Sequence, residues 1–516
     1  MMDGTPRAAW VDEPSDEFKA RNPQRDKADQ LANVVRTQSV AAASNIVQDM
    51  DKTNCAEWKR LILRPSAPLV SARAYLDREH CGRTVPTLHH QNATFFSWRK
   101  THYCEITGEE IRSQLYAFLD RAEQPGQREG ETIPFNPTKS KVANVVEALA
   151  AETQLPSTIK APCWLDDGNN PDAKDLVSCT NGLLYLPTRE VFAHSPRLFS
   201  LNALEFPYDS NAAIPLEWLK FLKALWPDDP QSITMLQEMF GLLLTGDTSY
   251  QKAFLLVGPK RSGKGTIARV LTKLLGAANV CGPTLSSLAQ NFGMSPMIGK
   301  RLAIISDARL GGKADHQIVV ERILAVTGED SLDIDRKFRD PWTGKLETRI
   351  LMLTNELPKL ADASGAFASR FMILLMKNSF FGKEDQGLAD RLIGELPGIL
   401  NWSLDGWKTL QARRRFVQPA SSAAAQRDFE DLGSPIGAFV RDCCIIGPTA
   451  SCRPDDLYKR WLAWCHEQNI THPGTVQTFG RDLRSVIPGI RTIQHRVQGT
   501  PERFYEGVTL ASAVTQ

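Results

Sequence analysis

The chain has no CxxC pair, no long apolar run, no internal repeat and almost no net charge, and each absence removes a class of protein. Its 10 cysteines are scattered from Cys55 to Cys465 without the spacing of a zinc ribbon or a secreted disulfide framework, so reduced structural thiols are expected. Only the late group Cys443, Cys444, Cys452, Cys465 and His466 is dense enough to weigh as a metal site, and adjacent cysteines make an awkward chelate. The longest apolar runs, such as Leu242 to Leu244 or Ala253 to Val257, are far too short to span a bilayer, and no signal-peptide pattern opens the chain. The expected location is the cytoplasm, with no membrane partner. With 61 Lys and Arg against 59 Asp and Glu the net charge is +2, so any nucleic-acid surface must come from local clustering.

What is present is the composition of a folded protein, 42% hydrophobic and 23% charged. A chain of 516 residues exceeds what one core serves, and about two to four domains are expected. Residues 1–54 are polar and poor in aromatics and read as a tail with little order. Residues 55–210 read as an α+β domain. Ile111, Leu115, Phe118 and Leu119 share a helical face, as do Val142, Val145, Val146 and Leu149, and Asn181-Gly182 turns into a short strand from Leu183 to Leu186. Residues 211–412 open with two helices, carrying Trp218, Phe221, Leu222 and Leu225, then Met235, Leu236, Met239 and Phe240. Short apolar strands then alternate with helices, the pattern of a mainly parallel sheet wrapped by helices. Residues 413–426 read as a connector, and 427–516 as a small separate unit.

The central feature is Gly258-Pro259-Lys260-Arg261-Ser262-Gly263-Lys264-Gly265-Thr266. Such glycines let backbone N–H groups turn inward around phosphate oxygens while the lysine reaches the β and γ phosphates of a nucleotide. The motif alone is weak, but its context is favourable. The apolar run Ala253 to Val257 precedes it, and the stripe Ile267, Val270, Leu271, Leu274 and Leu275 follows, closed by Gly276. That order aims a helix N-terminus at the bound anion. Gly265 stands where a hydroxyl usually holds Mg²⁺, and the hydroxyl is displaced to Thr266. Downstream, the run Leu302 to Ile305 ends in Ser306-Asp307, and a carboxylate at a strand tip suits Mg²⁺. Asp307 is thus a metal candidate, although strand-end turns also favour Asp. The run Arg349 to Thr354 ends in Asn355, an amide able to position an attacking water, and Arg370 precedes the apolar run Phe371 to Met376.

This ordered series resembles the superfamily 3 helicases of the AAA+ class, in particular the poxvirus and phage or plasmid primase-helicase group. The resemblance runs from about Ala67 to the C-terminus through "NGLLYLPTREVFAHSP", "LQEMFGLLLTGDTSYQKAFLLVGPKRSGKGT", "RLAIISD", "VTGEDSLDIDRKF", "LMLTNELP" and "ELPGILNWSLDGW". It implies ATP and Mg²⁺ as cofactors, Lys264 and Thr266 in the Walker A loop, Asp307 in Walker B, Asn355 as sensor and Arg370 as an arginine finger acting on a neighbouring subunit. A ring follows, typically a homo-hexamer, with single-stranded and forked DNA as partners. The segment around Arg336, Lys337, Phe338 and Arg339 is similar to the hairpin with which papillomavirus-type members grip single-stranded DNA; a solvated hairpin with a charged turn is the bland alternative. The general base stays unassigned, since a lone Asp307 stands where relatives often carry Glu or paired acids. Intrinsic primer synthesis is not expected, because Asp166-Asp167 lies in a Gly-Asn-Pro turn; a separate primase or polymerase is one candidate partner, and its recruitment stays open. The last unit resembles a winged helix, with Arg481, Arg484, Arg491, Arg496 and Arg503 around its second helix. Two other readings compete: a P-loop nucleotide kinase, because GKGT also closes that loop, and a DNA-binding or loading ring with little hydrolysis, because of Gly265 and the lone Asp307.

Overall fold

A computed structural model of the chain describes residues 61–80, 85–306, 313–337, 339–358, 360, 366–468, 470–497 and 500–511. The expected tail over 1–54, together with Asp307 and Phe338, lies outside the described residues.

The first unit is built from α1 (Pro68–Glu79), an antiparallel sheet of β1 (Leu88–Gln91), β2 (Thr94–Trp98) and β3 (Tyr103–Ile106), α2 (Gly108–Asp120), the hairpin β4 (Glu123–Pro125) and β5 (Thr132–Pro134), and α3 (Lys139–Glu152). Helix α2 starts where the Thr107 hydroxyl accepts from the Glu110 N–H at 3.1 Å, with Glu109 and Glu110 complementing the positive helix end. Its apolar stripe Ile111, Leu115, Phe118 and Leu119 meets Val142, Val145 and Leu149 of α3 in one core with Tyr75 and Phe135. Two histidines are buried here, and burial pushes both His80 and His89 down to about 4 from 6.5.

Two short strands, β6 (Cys163–Trp164) and β10 (Leu198–Phe199), pair with each other around the meander of β7 (Leu176–Cys179), β8 (Gly182–Tyr185) and β9 (Val191–Phe192). The core of this region does not stop at Ser210: Val177, Leu184, Leu186, Leu204 and Tyr208 share a cluster with Trp218, Leu222 and Met239 of the next two helices.

Those helices, α4 (Leu216–Leu225) and α5 (Pro230–Leu244), lead into a sheet of five parallel strands. In chain order the elements are β11 (Ala253–Val257), α6 (Lys264–Leu275), β12 (Val280–Cys281), α7 (Leu285–Leu288), β13 (Leu302–Ser306), α8 (Lys313–Gly328), the antiparallel hairpin β14 (Leu332–Arg336) and β15 (Arg339–Gly344), β16 (Arg349–Thr354), α9 (Ala366–Ser369), β17 (Phe371–Leu375), α10 (Leu388–Gly394) and α11 (Leu396–Arg413). The spatial order is β12-β13-β16-β11-β17. Alternation along each strand divides two cores: Phe254, Leu256, Leu351, Leu353, Met372 and Leu374 face the helices α4, α5, α6 and α11, whereas Leu255, Ile305, Ile350, Met352 and Ile373 face α8 and α9.

Helices α5 and α11 meet at two glycines. A Cβ on Gly241 would lie 2.4 Å from the Ser403 carbonyl oxygen, and one on Gly406 would lie 2.3 Å from that of Gln237. The same pair is tied by the fully buried Glu238, which accepts from the Arg413 guanidinium and, at 3.1 Å, from the Val417 N–H.

The stretch 413–426, expected as a connector, is largely structured: Arg413 closes α11 and α12 (Ala423–Gly433) begins within it. Ala425 and Phe429, four residues apart, insert into the second core, where Phe429 meets Phe371 with ring centroids 5.6 Å apart. The final unit runs α13 (Pro435–Cys443), β18 (Cys444–Cys452), α14 (Pro454–Glu467), α15 (Val476–Val486), β19 (Arg491–Val497) and β20 (Thr500–Leu510), its antiparallel sheet ordered β18-β20-β19. Phe439, Trp461, Trp464, Phe479, Leu483 and Tyr505 form its core, whereas Leu462 is 38% exposed. Among the described residues no group of three or more His, Cys, Asp or Glu is placed to hold a metal, and no helix is long and apolar enough to cross a membrane.

Two outcomes follow. Gly241→Ala forces α5 and α11 apart and lowers unfolding free energy by about 1–3 kcal/mol in urea titrations, whereas Gly394→Ala, where an added Cβ meets nothing within 4 Å, stays within about 0.5 kcal/mol of wild type. For His80 and His89 the unfolded chain binds more protons than the folded one between pH 6.5 and about 4, so their contribution is complete above pH 6.5 and lost as pH falls through that window. Thermal unfolding across that range is expected to show the first unit losing stability with acidification, and His89→Phe is expected to flatten the slope.

Candidate functional site

The glycine loop sits at the C-terminal end of the sheet, between β11 and α6. Its backbone needs left-handed turns, at Arg261 (φ 58°) and at Gly263 (φ 94°). Gly263 is also the helix N-cap, and a Cβ there would lie 2.9 Å from Leu225 Cδ2. At Gly258 a Cβ would lie 2.7 Å from both the Met376 Cβ and its carbonyl oxygen, so the loop can pass over β17 only without a side chain. By contrast a Cβ on Gly265 meets nothing within 4 Å. Thr266 is half-buried one residue further along α6, its N–H bonded to the Gly263 carbonyl at 3.0 Å.

Lys264 lies inside this loop. Its ammonium donates to the Gly258 carbonyl at 2.6 Å, the Pro259 carbonyl at 2.8 Å, the Ser262 hydroxyl at 3.1 Å and Asn355 Oδ1 at 3.2 Å. All four acceptors are neutral, and burial lowers the lysine's pKa below its ordinary value. Asn355 reaches it because β16 is inserted next to β11, which carries the end of β16 alongside the loop. Strand β13 lies one position further out and ends at the exposed Ser306.

A second segment clamps the loop from outside, and the sequence reading missed it. The Ser379 hydroxyl donates to the Lys260 carbonyl at 2.8 Å, the Phe380 N–H donates to the Arg261 carbonyl at 2.9 Å, and Glu384 pairs with the Arg261 guanidinium at 3.4 Å. This leaves Phe381 75% exposed beside the loop. The available signal was a polar stretch, Asn378 to Gly387, running directly out of the β-strand next to β11.

Arg370 lies at the other end of the sheet. It immediately precedes β17, and its carbonyl accepts from the Ala253 N–H at 2.9 Å, level with the start of β11. Five residues of strand separate that level from the loop, roughly 17 Å at 3.3 Å per residue. The guanidinium donates to Gln251 Oε1 at 2.5 Å, beside Lys252, whose pKa burial lowers first and the nearby Arg370 charge second. Gln251 and Lys252 were not singled out from sequence, because nothing local marks them.

The hairpin β14–β15 turns toward the first unit. Arg339 pairs with Glu105 of β3 at 2.6 Å, and Arg336 donates to the Asp340 carbonyl at 2.9 Å and the Asn92 carbonyl at 3.4 Å. Lys337 is exposed in the turn. Arg339 and Glu105 are 39% and 47% exposed, and a pair so exposed contributes about 0–1 kcal/mol, little enough for an anionic ligand to displace.

The structure therefore brings Lys264, Ser262 and Asn355 together, sets Arg370 at the opposite end of the sheet, and turns the hairpin arginines toward Glu105 and Asn92 of the first unit. A family of unknown function, DUF5906, matches residues 256–370, from within β11 to Arg370. Among solved structures, the apo structure of the NrS-1 C terminal region (305-718) is similar at 12% identity and a TM-score of 0.50, over 85% of this chain and 99% of that one. An A form apo structure of the same region aligns at 11% identity with a TM-score of 0.46 over the same shares. The first of these likenesses is one of fold, a mixed α/β architecture around a parallel sheet.

The two loop glycines are expected to differ. Gly265→Ala raises stability by about 0.5–1 kcal/mol, the gain in helix propensity, whereas Gly263→Ala lowers it by about 1–2 kcal/mol, the cost of a left-handed non-glycine residue. Differential scanning of the two variants checks this.

Proposed function

We propose that the chain is an ATP-dependent DNA helicase of the superfamily 3, AAA+ type, working as a ring of identical protomers, a homo-hexamer by resemblance, on single-stranded and forked DNA. The observation that carries this reading is the separation of the two cations: Lys264 sits in the loop at one end of the sheet and Arg370 at the other. Arg370 is too far along the strand to serve its own loop, so as a catalytic group it serves the loop of a neighbour.

In this reading ATP enters with its phosphates in the loop, replacing the neutral acceptors around Lys264. Exchange of carbonyls for phosphate oxygens turns neutral hydrogen bonds into charge-assisted ones, roughly twice as strong. A water attacks the γ-phosphorus, the bond to the β–γ bridging oxygen breaks, and the proton passes to solvent through a base still to be assigned. Asn355, released from Lys264, orients the water, and Arg370 of the adjacent protomer neutralises charge developing on the transferring phosphoryl. Thr266 and Asp307 would hold Mg²⁺, oxygen donors of the kind that ion prefers, and when bound it neutralises phosphate charge. Arg336, Lys337, Phe338 and Arg339 would grip the single strand, exchanging Glu105 and Asn92 for phosphates. The chain would act in the cytoplasm with a separate primase or polymerase.

The lack of a hydroxyl at Gly265, where one usually holds Mg²⁺, favours one second reading, a DNA-binding or loading ring that holds ATP with little hydrolysis. Phosphate release with and without single-stranded DNA separates the two. The helicase reading expects stimulation by DNA, loss in Lys264→Ala through weakened ATP binding, and a fall of roughly 10³ in Arg370→Ala with ATP binding retained. Arg370→Ala turning over at the wild-type rate would remove the finger assignment.

A further inference from the structure

The Arg370 guanidinium is held by a neighbouring amide. Gln251 closes a short turn, its N–H donating to the Thr248 carbonyl at 2.9 Å, and its φ of 52° is left-handed. A residue other than glycine stays in that region only where its surroundings fix it. Here the side-chain amide is engaged at both ends. Its nitrogen donates to the Gly328 carbonyl at 3.4 Å, and its oxygen accepts from the Arg370 guanidinium at 2.5 Å. Only one orientation of the amide satisfies both neighbours, because a carbonyl must meet an N–H and a guanidinium must meet an oxygen.

What lies beyond Gly328 gives this bridge its interest. Gly328 is the last residue of α8, and residues 329–331 connect it to β14 of the basic hairpin. The same joint is tied a second time, since the Thr248 hydroxyl donates to Glu329 Oε1 at 2.5 Å. Glu329 is itself left-handed, with φ 63°. The turn 248–251 therefore touches three things at once: the start of β11, the arginine ahead of β17, and the joint that carries the hairpin. An amide oxygen suits the arginine because it orients a guanidinium without cancelling its charge, as a carboxylate would. Lys252 also meets a neutral oxygen, donating to the Ser369 carbonyl at 2.6 Å.

We infer that Gln251 is the positioning residue of Arg370 and the link through which the hairpin controls it. When DNA takes up the hairpin, a shift of the joint 328–331 moves the Gln251 amide, and with it the guanidinium offered to the neighbouring protomer. This deepens the function proposed above and rests on its finger assignment. The link is a pair of hydrogen bonds through one side chain, and reversal of the amide would leave both unmade. Gln251 does not act on its own loop, which lies beyond the five residues of β11, roughly 17 Å away.

The test compares wild type, Gln251→Glu and Gln251→Ala in the full chain, by phosphate release with and without single-stranded DNA. A carboxylate at position 251 keeps the bond to Arg370 but has no N–H for Gly328. Gln251→Glu is therefore expected to lose stimulation by DNA and to lower kcat by up to roughly 100-fold, with KM for ATP unchanged. Gln251→Ala, which frees the guanidinium, is expected to fall in the same way, and circular dichroism confirms that both variants fold. Mixing identifies the protomer on which the residue acts. Gln251→Glu protein regains hydrolysis with Lys264→Ala protein and not with Arg370→Ala protein, a pattern that general damage to the fold does not produce. Wild-type kcat and DNA stimulation in both variants overturn the inference, as does recovery with Arg370→Ala protein. Full DNA stimulation on a lowered kcat overturns the link. If Lys264→Ala and Arg370→Ala proteins co-assemble without restoring each other, the finger assignment itself falls, and the inference with it.

Discussion

The structure turns on one ammonium group. Lys264 is partly withdrawn from water and ringed by two loop carbonyls, a hydroxyl and the Asn355 amide, with no carboxylate among its hydrogen-bond partners in the described residues. Among the described residues a cation held this way is satisfied in hydrogen bonds by neutral groups, and its lowered pKa records the cost of burial. In the proposed reading, a polyphosphate would supply the charge that the neutral acceptors lack. The glycines, the outer clamp from Ser379 to Glu384 and the insertion of β16 beside β11 all act to keep this group where it is.

The sheet acts as a spacer around that group. Because all five strands run parallel, every strand tip faces the loop and every strand start faces away. Asn355 follows a strand and so meets Lys264; Arg370 precedes one and so does not. The spacer is stiff because apolar side chains cover both faces and because α5 and α11 pack at glycine-to-carbonyl distance behind it.

Much of this was legible from residue order alone. The strands around Ala253, Leu302, Arg349 and Phe371 were marked by continuous apolar runs, as strands buried on both faces must be. The stripes of α2, α3, α4 and α5 were equally plain, since helical period is written locally. Less visible was anything that depends on tertiary neighbours. The Ala-rich stretch before Phe429 reads as a connector until Phe371 supplies a wall for it. The clamp at Ser379 and Phe380 works through backbone groups, which leave no compositional trace. Docking of Arg339 on Glu105 joins residues 234 apart, and no pattern within either segment announces it. Of the candidate residues, Asp307 and Phe338 lie outside the described residues, and their assignment rests on the sequence reading.

The central claim is that a complete ATP site needs the loop of one protomer and Arg370 of the next. Mixing Lys264→Ala protein with Arg370→Ala protein and following phosphate release on single-stranded DNA tests it most directly. The account predicts that each protein alone is nearly inactive and that the mixture regains activity, because some interfaces then pair an intact Lys264 with an intact Arg370. Co-assembly of the two proteins with no recovered hydrolysis would contradict it.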